Sequence, residues 1–167
     1  RASNGDGNAW TISMWFKPSS STSTQTLMVY GAGNDAANGC ITLVQTGGAN
    51  IVLTYGTTTN QIAIAALSCL TVGAWNHLVV TFDGGTTGSV QADLSDYYSR
   101  FAISVDGVAV STAGSHLGNG YDDTIDGSDV SDNIFRIGRA NNVYNNYVVD
   151  MVLNQVAIFD SVKSAST

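Results

Sequence analysis

Short apolar runs recur along the whole chain and are separated by turn residues. The stretch 10–18, WTISMWFKP, alternates, with Trp10, Ile12, Met14 and Phe16 on one face. Alternation with a period of two is typical of a half-buried β-strand. Comparable runs follow, bounded by Gly, Asn, Asp or Ser/Thr clusters: TLMVYG (26–31), CITLVQ (40–45), IVLTY (51–55), HLVVTF (77–82), NIFRIGRA (133–140) and YVVDMVLNQVAIFD (147–160).

Two dipeptides mark hairpins between such runs. Gly47-Gly48 joins the runs at 40–45 and 51–55, and Asp106-Gly107 divides RFAISVDGVAVST (100–112). Both pairs of residues favour the tight turns that connect antiparallel strands.

Two further stretches leave alternatives open. QIAIAALSCL (61–70) fits a strand or a short helix, and its neighbours favour the strand. The polar stretch 84–99, with DLSDYYSR at its end, fits a helical turn or an inserted hairpin. Nine or ten strands without a long amphipathic helix predict an all-β, two-sheet antiparallel jelly-roll sandwich. With no linker or repeat visible, we expect a single domain over 1–167.

The charge of the chain excludes several classes of partner. Charged residues make up only 11% of the 167 residues, and the net charge is −7. All thirteen acidic residues are Asp, which favours turns and loops over helices. Nucleic acid and anionic membranes require a basic surface, so neither is an expected partner. No apolar run reaches the length of a membrane helix, and we expect no membrane insertion.

The composition favours an extracellular, cell-surface or virion-surface location, because Ser, Thr, Asn and Gly are abundant and Lys is scarce. A start at Arg1 without Met is expected of a processed chain or an excised domain. No Asn-x-Ser/Thr glycosylation site occurs. The SSSTST segment (19–24) is either a flexible loop or a site of O-glycosylation.

Cys40 and Cys69 permit one disulfide. If the runs at 40–45, 51–55 and 62–68 form a meander, these cysteines lie at opposite ends of the sheet, too far apart for a bridge. An even number of cysteines in an extracellular chain favours a bridge instead. The alternative is two small buried side chains.

The loop 120–133, GYDDTIDGSDVSDN, contains five carboxylates: Asp122, Asp123, Asp126, Asp129 and Asp132. Oxygen donors crowded in one loop suit Ca²⁺, with Asp122 and Asp126 as the candidate ligands. The spacing matches an EF-hand only in part, since Asn133 stands where that loop has Glu. The alternative is a solvated loop stabilised by Asx turns.

His77, in GAWNHLVVTFDG (73–84), raises the question of catalysis. A hydrolytic histidine requires a nucleophile and an orienting acid within reach, and no G-x-S-x-G motif occurs. His116 lies in a stretch, GSHLGNG, without metal ligands at useful spacing. We therefore expect both histidines to be structural, with no catalytic residue in the chain.

Six stretches of the chain, in this order, carry a family resemblance: WTISMWFKPSS, LMVYG, GAWNHLVVTFDG, RFAISVDGVAV, IFRIGRA and LNQVAIFDSVKSA. Together they resemble the laminin-G/pentraxin-like branch of the concanavalin A-like lectin/glucanase superfamily. The resemblance covers nearly the whole chain. It implies a two-sheet jelly roll whose first strand pairs near its last, and it places Trp75 as a plug at the sheet end beside His77. Members often bind glycans or proteins. The glucanase branch uses a Glu pair, which this chain lacks.

The resemblance also implies a calcium site between the loops after Tyr30-Gly31 and after Ile137-Gly138. The matching positions are Asp35 or Asn38 in the first loop and Asn141 or Asn142 in the second. Asn replaces the acids that the family favours in the second loop, which reduces the charge available to Ca²⁺. The alternative is a pair of turn-forming loops.

Aromatic residues in polar stretches are candidates for ligand contact. Tyr121, Tyr144 and Tyr147, with Asn145, lie in Asn/Asp-rich loops, and Tyr97 and Tyr98 lie in the polar stretch 84–99. Tyrosine combines an apolar ring with a polar tip, which suits both glycan and protein surfaces.

Two functions fit these observations. The first is a non-catalytic binding or adhesion module that recognises a glycan or a surface protein, with Ca²⁺ as the expected cofactor if one is used. The second is a structural subunit or decoration domain of a filament, virion or cell-surface assembly that packs against copies of itself. Low charge density favours self-association, and the net charge of −7 opposes it.

Overall fold

A computed structural model describes residues 9–19, 24–31, 40–56, 61–84, 98–117, 135–138 and 151–163. Within these ranges the chain forms eleven strands: β1 (Trp10–Pro18), β2 (Gln25–Gly31), β3 (Cys40–Thr46), β4 (Asn50–Gly56), β5 (Gln61–Ala66), β6 (Asn76–Phe82), β7 (Phe101–Val105), β8 (Val108–Ala109), β9 (Thr112–Leu117), β10 (Phe135–Ile137) and β11 (Met151–Phe159).

The strands form two antiparallel sheets. The five-stranded sheet has the order β11-β1-β6-β7-β8, and the six-stranded sheet has the order β10-β2-β3-β4-β5-β9. The all-β, two-sheet sandwich predicted from the apolar runs is confirmed. β9 has no counterpart among the predicted strands, because TAGSHL lacks the alternating apolar residues that identify a strand.

β1 joins the two ends of the chain. It pairs with β11 on one side, with Thr11 opposite Phe159, and with β6 on the other, with Trp15 opposite His77. The pairing of the first strand with the last is therefore confirmed. It brings residues about 150 positions apart onto one surface.

The alternation in β1 separates a buried face from an outer face. Ile12, Met14 and Phe16 are fully buried, whereas Trp15 and Lys17 are exposed. The inner faces of both sheets meet at an aromatic cluster of Trp10, Tyr55, Phe82 and Phe101, whose ring centroids lie 4.6–6.3 Å apart. Burial of these rings, together with the aliphatic side chains of the core, stabilises the packing of the two sheets.

Both predicted hairpins form. Residues 47–49 connect β3 to β4, and Asp106-Gly107 connects β7 to β8 with φ of 51° and 79°. Positive φ at both central residues matches the twist of the flanking strands.

The two stretches with open alternatives are also resolved in part. The stretch 61–66 is strand β5, as its neighbours suggested, and Tyr98 and Ser99 at the end of the polar stretch are helical.

The two cysteines lie far apart. Cys40 stands opposite Gly56 at the start of β3, whereas the backbone N–H of Cys69 donates to the carbonyl of Ala49 beside the other end of the meander. The separation along the strands is about 20 Å, and Cys69 is a free thiol. The strands around the two cysteines form the meander expected from the sequence, with Cys40 and Cys69 at its opposite ends.

In the described part of the chain, no helix has both the length and the apolar character needed to cross a membrane.

Candidate functional site

The outer face of the five-stranded sheet presents an aromatic pair. Trp15 of β1 and His77 of β6 are opposite each other in register, and their rings stack with centroids 4.7 Å apart and planes 14° apart. Trp15 is 36% exposed, although it lies at the middle of a sheet face. An exposed tryptophan ring stacked on a second ring is a candidate for ligand contact, because it combines a large apolar face with a polar N–H.

Ser13 lies beside this pair, two residues before Trp15 on the same face of β1. Its Oγ is 2.9 Å from Nε2 of His77. The backbone N–H of His77 donates a hydrogen bond to Oδ1 of Asp106, 2.8 Å away, so the hairpin turn between β7 and β8 anchors the start of β6. The imidazole is therefore fixed by a ring on one side and a hydroxyl at its tip.

These residues border a groove of about 430 Å³ that crosses β6, β1 and β11. Small side chains line its middle: Val79, Ser13 and Ala157, with Ser13 opposite both Val79 and Ala157 in register. Trp15, His77 and Gln155 form one wall, and Thr11, Phe159 and Lys163 form the other. The two walls stand four residues apart along β1, or about 13 Å. A slot of this width accommodates one ring-sized group.

Lys163 reaches the groove because the segment after β11 is tied back to β1. The buried hydroxyl of Thr11 donates to the carbonyl of Ser161 at 2.8 Å and accepts from the backbone N–H of Lys163 at 2.9 Å. The ammonium nitrogen of Lys163 then lies 5.7 Å from the centre of the Phe159 ring. A cation over an aromatic face is attracted by the ring.

The groove has a distinctive charge for this protein. The chain has thirteen acidic residues and a net charge of −7, yet the described residues that line the groove include Lys163 and no carboxylate. A concave surface lined by charge of one sign raises the local concentration of oppositely charged ligands. The arrangement therefore favours an electron-rich or anionic group near Lys163.

Trp75 does not plug the sheet end, contrary to the expectation drawn from the family resemblance. It is 43% exposed in the loop before β6. The turn is held instead by the buried amide of Asn76, which accepts from the N–H of Thr71 and donates to the carbonyls of Thr71 and Ala74. The side chain of Asn76 thus holds the turn, and the ring of Trp75 is left exposed beside it.

Catalysis by His77 requires more than the neighbouring hydroxyl. Ser13 supplies a nucleophile-type group at hydrogen-bonding distance, which the sequence did not reveal. A catalytic triad also needs an acid that orients the second ring nitrogen, and the described residues of the groove include none. The carboxylate of Asp106 accepts a hydrogen bond from the backbone N–H of His77, and this bond does not orient the imidazole ring.

The ligand residues predicted from the sequence lie outside the described residues. This holds for the calcium candidates Asp35, Asn38, Asp122, Asp126, Asn141 and Asn142 and for the contact candidates Tyr121, Tyr144, Asn145 and Tyr147. Within the described ranges, no group of three or more His, Cys, Asp or Glu residues is placed to hold a metal ion. β2 and β10 are antiparallel neighbours, so the loops after Gly31 and Gly138 leave opposite ends of that strand pair.

Two predictions from polar stretches need correction. Tyr98 packs against the hydrophobic core and its hydroxyl is buried, so it is not a ligand-contact residue. Burial raises the pKa of this phenol. His116 does not lie in a loop: its backbone belongs to β9, opposite Ile62.

The groove residues were missed because they come from three distant stretches. The alternation that identified the buried face of β1 also put Thr11, Ser13 and Trp15 on the other face, and an outward-facing tryptophan was the one available signal. Nothing in the local sequence indicates that Gln155, Phe159 and Lys163 join them. That proximity follows from the pairing of β1 with β11.

Comparison with known structures finds the same fold in proteins of low sequence identity. A carbohydrate-binding module, CBM40 of the Ruminococcus gnavus IT-sialidase bound to α2,3-sialyllactose, superposes with a TM-score of 0.61 at 12% identity, covering 96% of this chain and 80% of that one. NanB sialidase from Streptococcus pneumoniae gives 0.62 at 15% identity, covering 95% of this chain and 23% of that one. Domains LG4-5 of the mouse laminin α1 chain give 0.60 at 10% identity, covering 93% and 36%.

No curated protein sequence matches the chain. The laminin G profile of the concanavalin A-like lectin/glucanases superfamily, in contrast, matches residues 1–167. That match spans the whole sequence and agrees with the two-sheet architecture. The chain belongs to the laminin G-like group of the concanavalin A-like lectin/glucanase superfamily.

Proposed function

We propose that this chain is a non-catalytic glycan-binding module of a surface or secreted protein, and that its binding site is the groove on the outer face of the five-stranded sheet. The observation that carries the proposal is the exposed Trp15–His77 stack beside a row of polar groups in one concave surface. Concave sites with apolar walls and a few convergent polar groups are the usual form of small-ligand sites.

Each part of the groove has a role that suits a sugar. The rings of Trp15 and Phe159 offer apolar surface to the carbon–hydrogen faces of a pyranose. The hydroxyl of Ser13, the imidazole of His77 and the amide of Gln155 offer donors and acceptors to sugar hydroxyls. Small side chains in the middle leave room for the ring itself.

The charge of the groove favours an acidic sugar over a neutral one. Lys163 supplies a cation at one wall, and the described lining contributes no carboxylate that would repel an anion. The Ruminococcus gnavus module of the same fold was solved with α2,3-sialyllactose, an acidic trisaccharide. Sialylated, uronic acid-containing and sulfated oligosaccharides are therefore the first ligands to test.

The test is titration of the chain with α2,3-sialyllactose and lactose, followed by an array that pairs acidic oligosaccharides with their neutral counterparts. We expect binding of at least one acidic member that Trp15→Ala weakens about tenfold or more, as loss of a central aromatic anchor does. Trp75→Ala is the matched control, because Trp75 is similarly exposed but does not line the groove. Equal effects of both variants, or no binding across the array, would overturn the proposal.

Self-association is the second candidate, favoured by exposed apolar residues on and after β11. Val152, Ile158 and Val162 are 55%, 48% and 51% exposed. β11 has a single described neighbour, β1, so its outer side is an edge within the described sheet. Light scattering across a wide concentration range distinguishes the two functions: a concentration-dependent oligomer without glycan binding supports the structural subunit.

A further inference from the structure

β11 contains a bulge directly at the groove. Ser13 pairs with Ala157 and Trp15 pairs with Asn154, so Gln155 and Val156 together face the single residue Met14. A bulge with two residues opposite one bends the strand and redirects the side chains at that point. The register shift falls between Ser13 and Trp15, two of the three β1 residues that line the groove.

The first residue of this bulge has an unfavourable backbone conformation. Gln155 has φ of +50°, in the left-handed region, where bulges of this type ordinarily have glycine. A side chain with a Cβ is strained there, and glutamine lacks the short polar group with which Asn or Asp stabilises that conformation. The other described non-glycine residues with positive φ, Ala49, Ser68 and Asp106, lie in turns or bends, whereas Gln155 lies within a strand.

The side chain that bears this cost lines the groove. Gln155 is exposed and stands on the same wall as Trp15 and His77. Strained residues persist where the surrounding structure fixes them, and they cluster at ligand sites. An amide on this wall can donate one hydrogen bond and accept another from adjacent ligand groups.

We infer that Gln155 is a specificity-determining residue of the groove, placed by the strained bulge so that its amide selects the hydrogen-bonding pattern of the bound sugar. This inference rests on the proposed function and identifies the residue that discriminates among glycans at that site. The aromatic pair gives affinity for a sugar ring in general, whereas the amide distinguishes the arrangement of its polar substituents.

Three variants separate strain from recognition. Gln155→Gly removes the amide and relieves the strain, Gln155→Ala removes the amide and retains the strain, and Gln155→Asn retains an amide in a residue that tolerates positive φ. We expect Gln155→Gly to melt at a temperature equal to or up to about 4 °C above that of the parent chain. We expect both truncations to weaken binding of the strongest acidic oligosaccharide on the paired array about three- to tenfold.

The specificity readout is the rank order of oligosaccharides on the same array. A changed order in Gln155→Ala and Gln155→Gly, with Gln155→Asn closer to the parent chain, supports the inference. An unchanged order and affinity in Gln155→Gly would overturn it, and increased self-association of that variant would assign the bulge to protection of the sheet edge. Failure of the proposed function is distinguishable, because in that case Trp15→Ala leaves binding unchanged as well.

Discussion

The hydroxyl of Thr11 joins β1 to Lys163 across 152 positions of sequence. It accepts the backbone N–H of Lys163 and donates to the carbonyl of Ser161, while its own side chain is completely buried. One hydroxyl therefore satisfies two backbone groups of the segment after β11. The same contact fixes the backbone position from which the side chain of Lys163 extends to the groove.

Thr11→Val tests this arrangement. Valine removes the hydroxyl and leaves the two backbone groups without their partner, which costs about 1–3 kcal/mol of unfolding free energy. We also expect weaker binding of acidic oligosaccharides, although Lys163 itself is unchanged. Urea unfolding and glycan titration measure the two effects, and Thr11→Ser, which keeps the hydroxyl, is the control. If Thr11→Val were as stable as the parent chain, the hydroxyl would not anchor this segment.

Lys163→Gln tests the charge directly. We expect the preference for acidic over neutral oligosaccharides to fall about three- to tenfold, since a charge-assisted hydrogen bond contributes more than a neutral one. Lys17→Gln is the matched control, because Lys17 is an exposed cation of the same sheet face that does not line the groove. Raising the salt concentration should reduce the parent chain's preference and leave that of Lys163→Gln almost unchanged. An equal loss in both lysine variants would indicate a general charge effect.

The sequence predicted the strands that carry the site, but not which residues of different strands come together in the groove. Alternation in β1 identified Ile12, Met14 and Phe16 as buried, and a burial pattern of that kind is local. Membership of Lys163 in the groove depends on the register of β1 against β11, where a slip of one residue would turn every side chain to the other face. Positive φ at Gln155 is likewise invisible in the sequence, because glutamine is not a residue that marks such a conformation.

Tyr98 illustrates the same limit for aromatic residues. Its place in a polar stretch suggested a surface role, yet its ring lies over Gly114 of β9 at the edge of the core. The sequence TAGSHL shows that β9 has a glycine, and therefore no side chain, at position 114. The ring that occupies this space belongs to Tyr98, sixteen positions earlier in the chain. Short-range patterns show that a side chain is missing from a strand and do not show which residue packs there.

Gly114→Ala is expected to destabilise the chain, because a Cβ at this position would overlap the ring of Tyr98. Overpacking of this kind costs about 1–3 kcal/mol, measured by urea unfolding. The control is a double-mutant cycle: in a Tyr98→Ala background the added methyl group has room, and Gly114→Ala should then be close to neutral. A penalty that is the same in both backgrounds would assign the cost to the backbone of β9 and not to the ring.

Cys69 should react slowly with alkylating agents. Its thiol lies 3.5 Å from the carbonyl of Ala66 and packs against the core, and burial raises its pKa. Less thiolate is then present near neutral pH, and the thiolate is the reactive form. In a Cys40→Ser variant, where Cys69 is the one remaining thiol, we expect iodoacetamide labelling slower than that of the urea-unfolded chain at the same pH.

The raised pKa of the Cys69 thiol also predicts the direction of a pH effect on stability. The folded state holds the proton more tightly than the unfolded state, so the contribution is fully present below the usual thiol pKa of about 8.5. It is lost as the pH rises through the folded-state value. Unfolding free energies from pH 7 to 10 should therefore fall more steeply in Cys40→Ser than in Cys40→Ser/Cys69→Ala. Parallel profiles would contradict this assignment.

Glycan binding at the groove should not require calcium. The described groove is lined by hydroxyl, amide, aromatic and ammonium groups, and Ca²⁺ is bound in proteins chiefly by carboxylate and carbonyl oxygens. We expect the affinity for acidic oligosaccharides to be the same in EDTA and in millimolar Ca²⁺. Asp122→Asn/Asp126→Asn should likewise leave groove binding unchanged, even if those residues hold Ca²⁺ elsewhere. A loss of binding in EDTA, matched by that variant but not by Trp15→Ala, would move the ligand site from the sheet face to the Asp-rich loop.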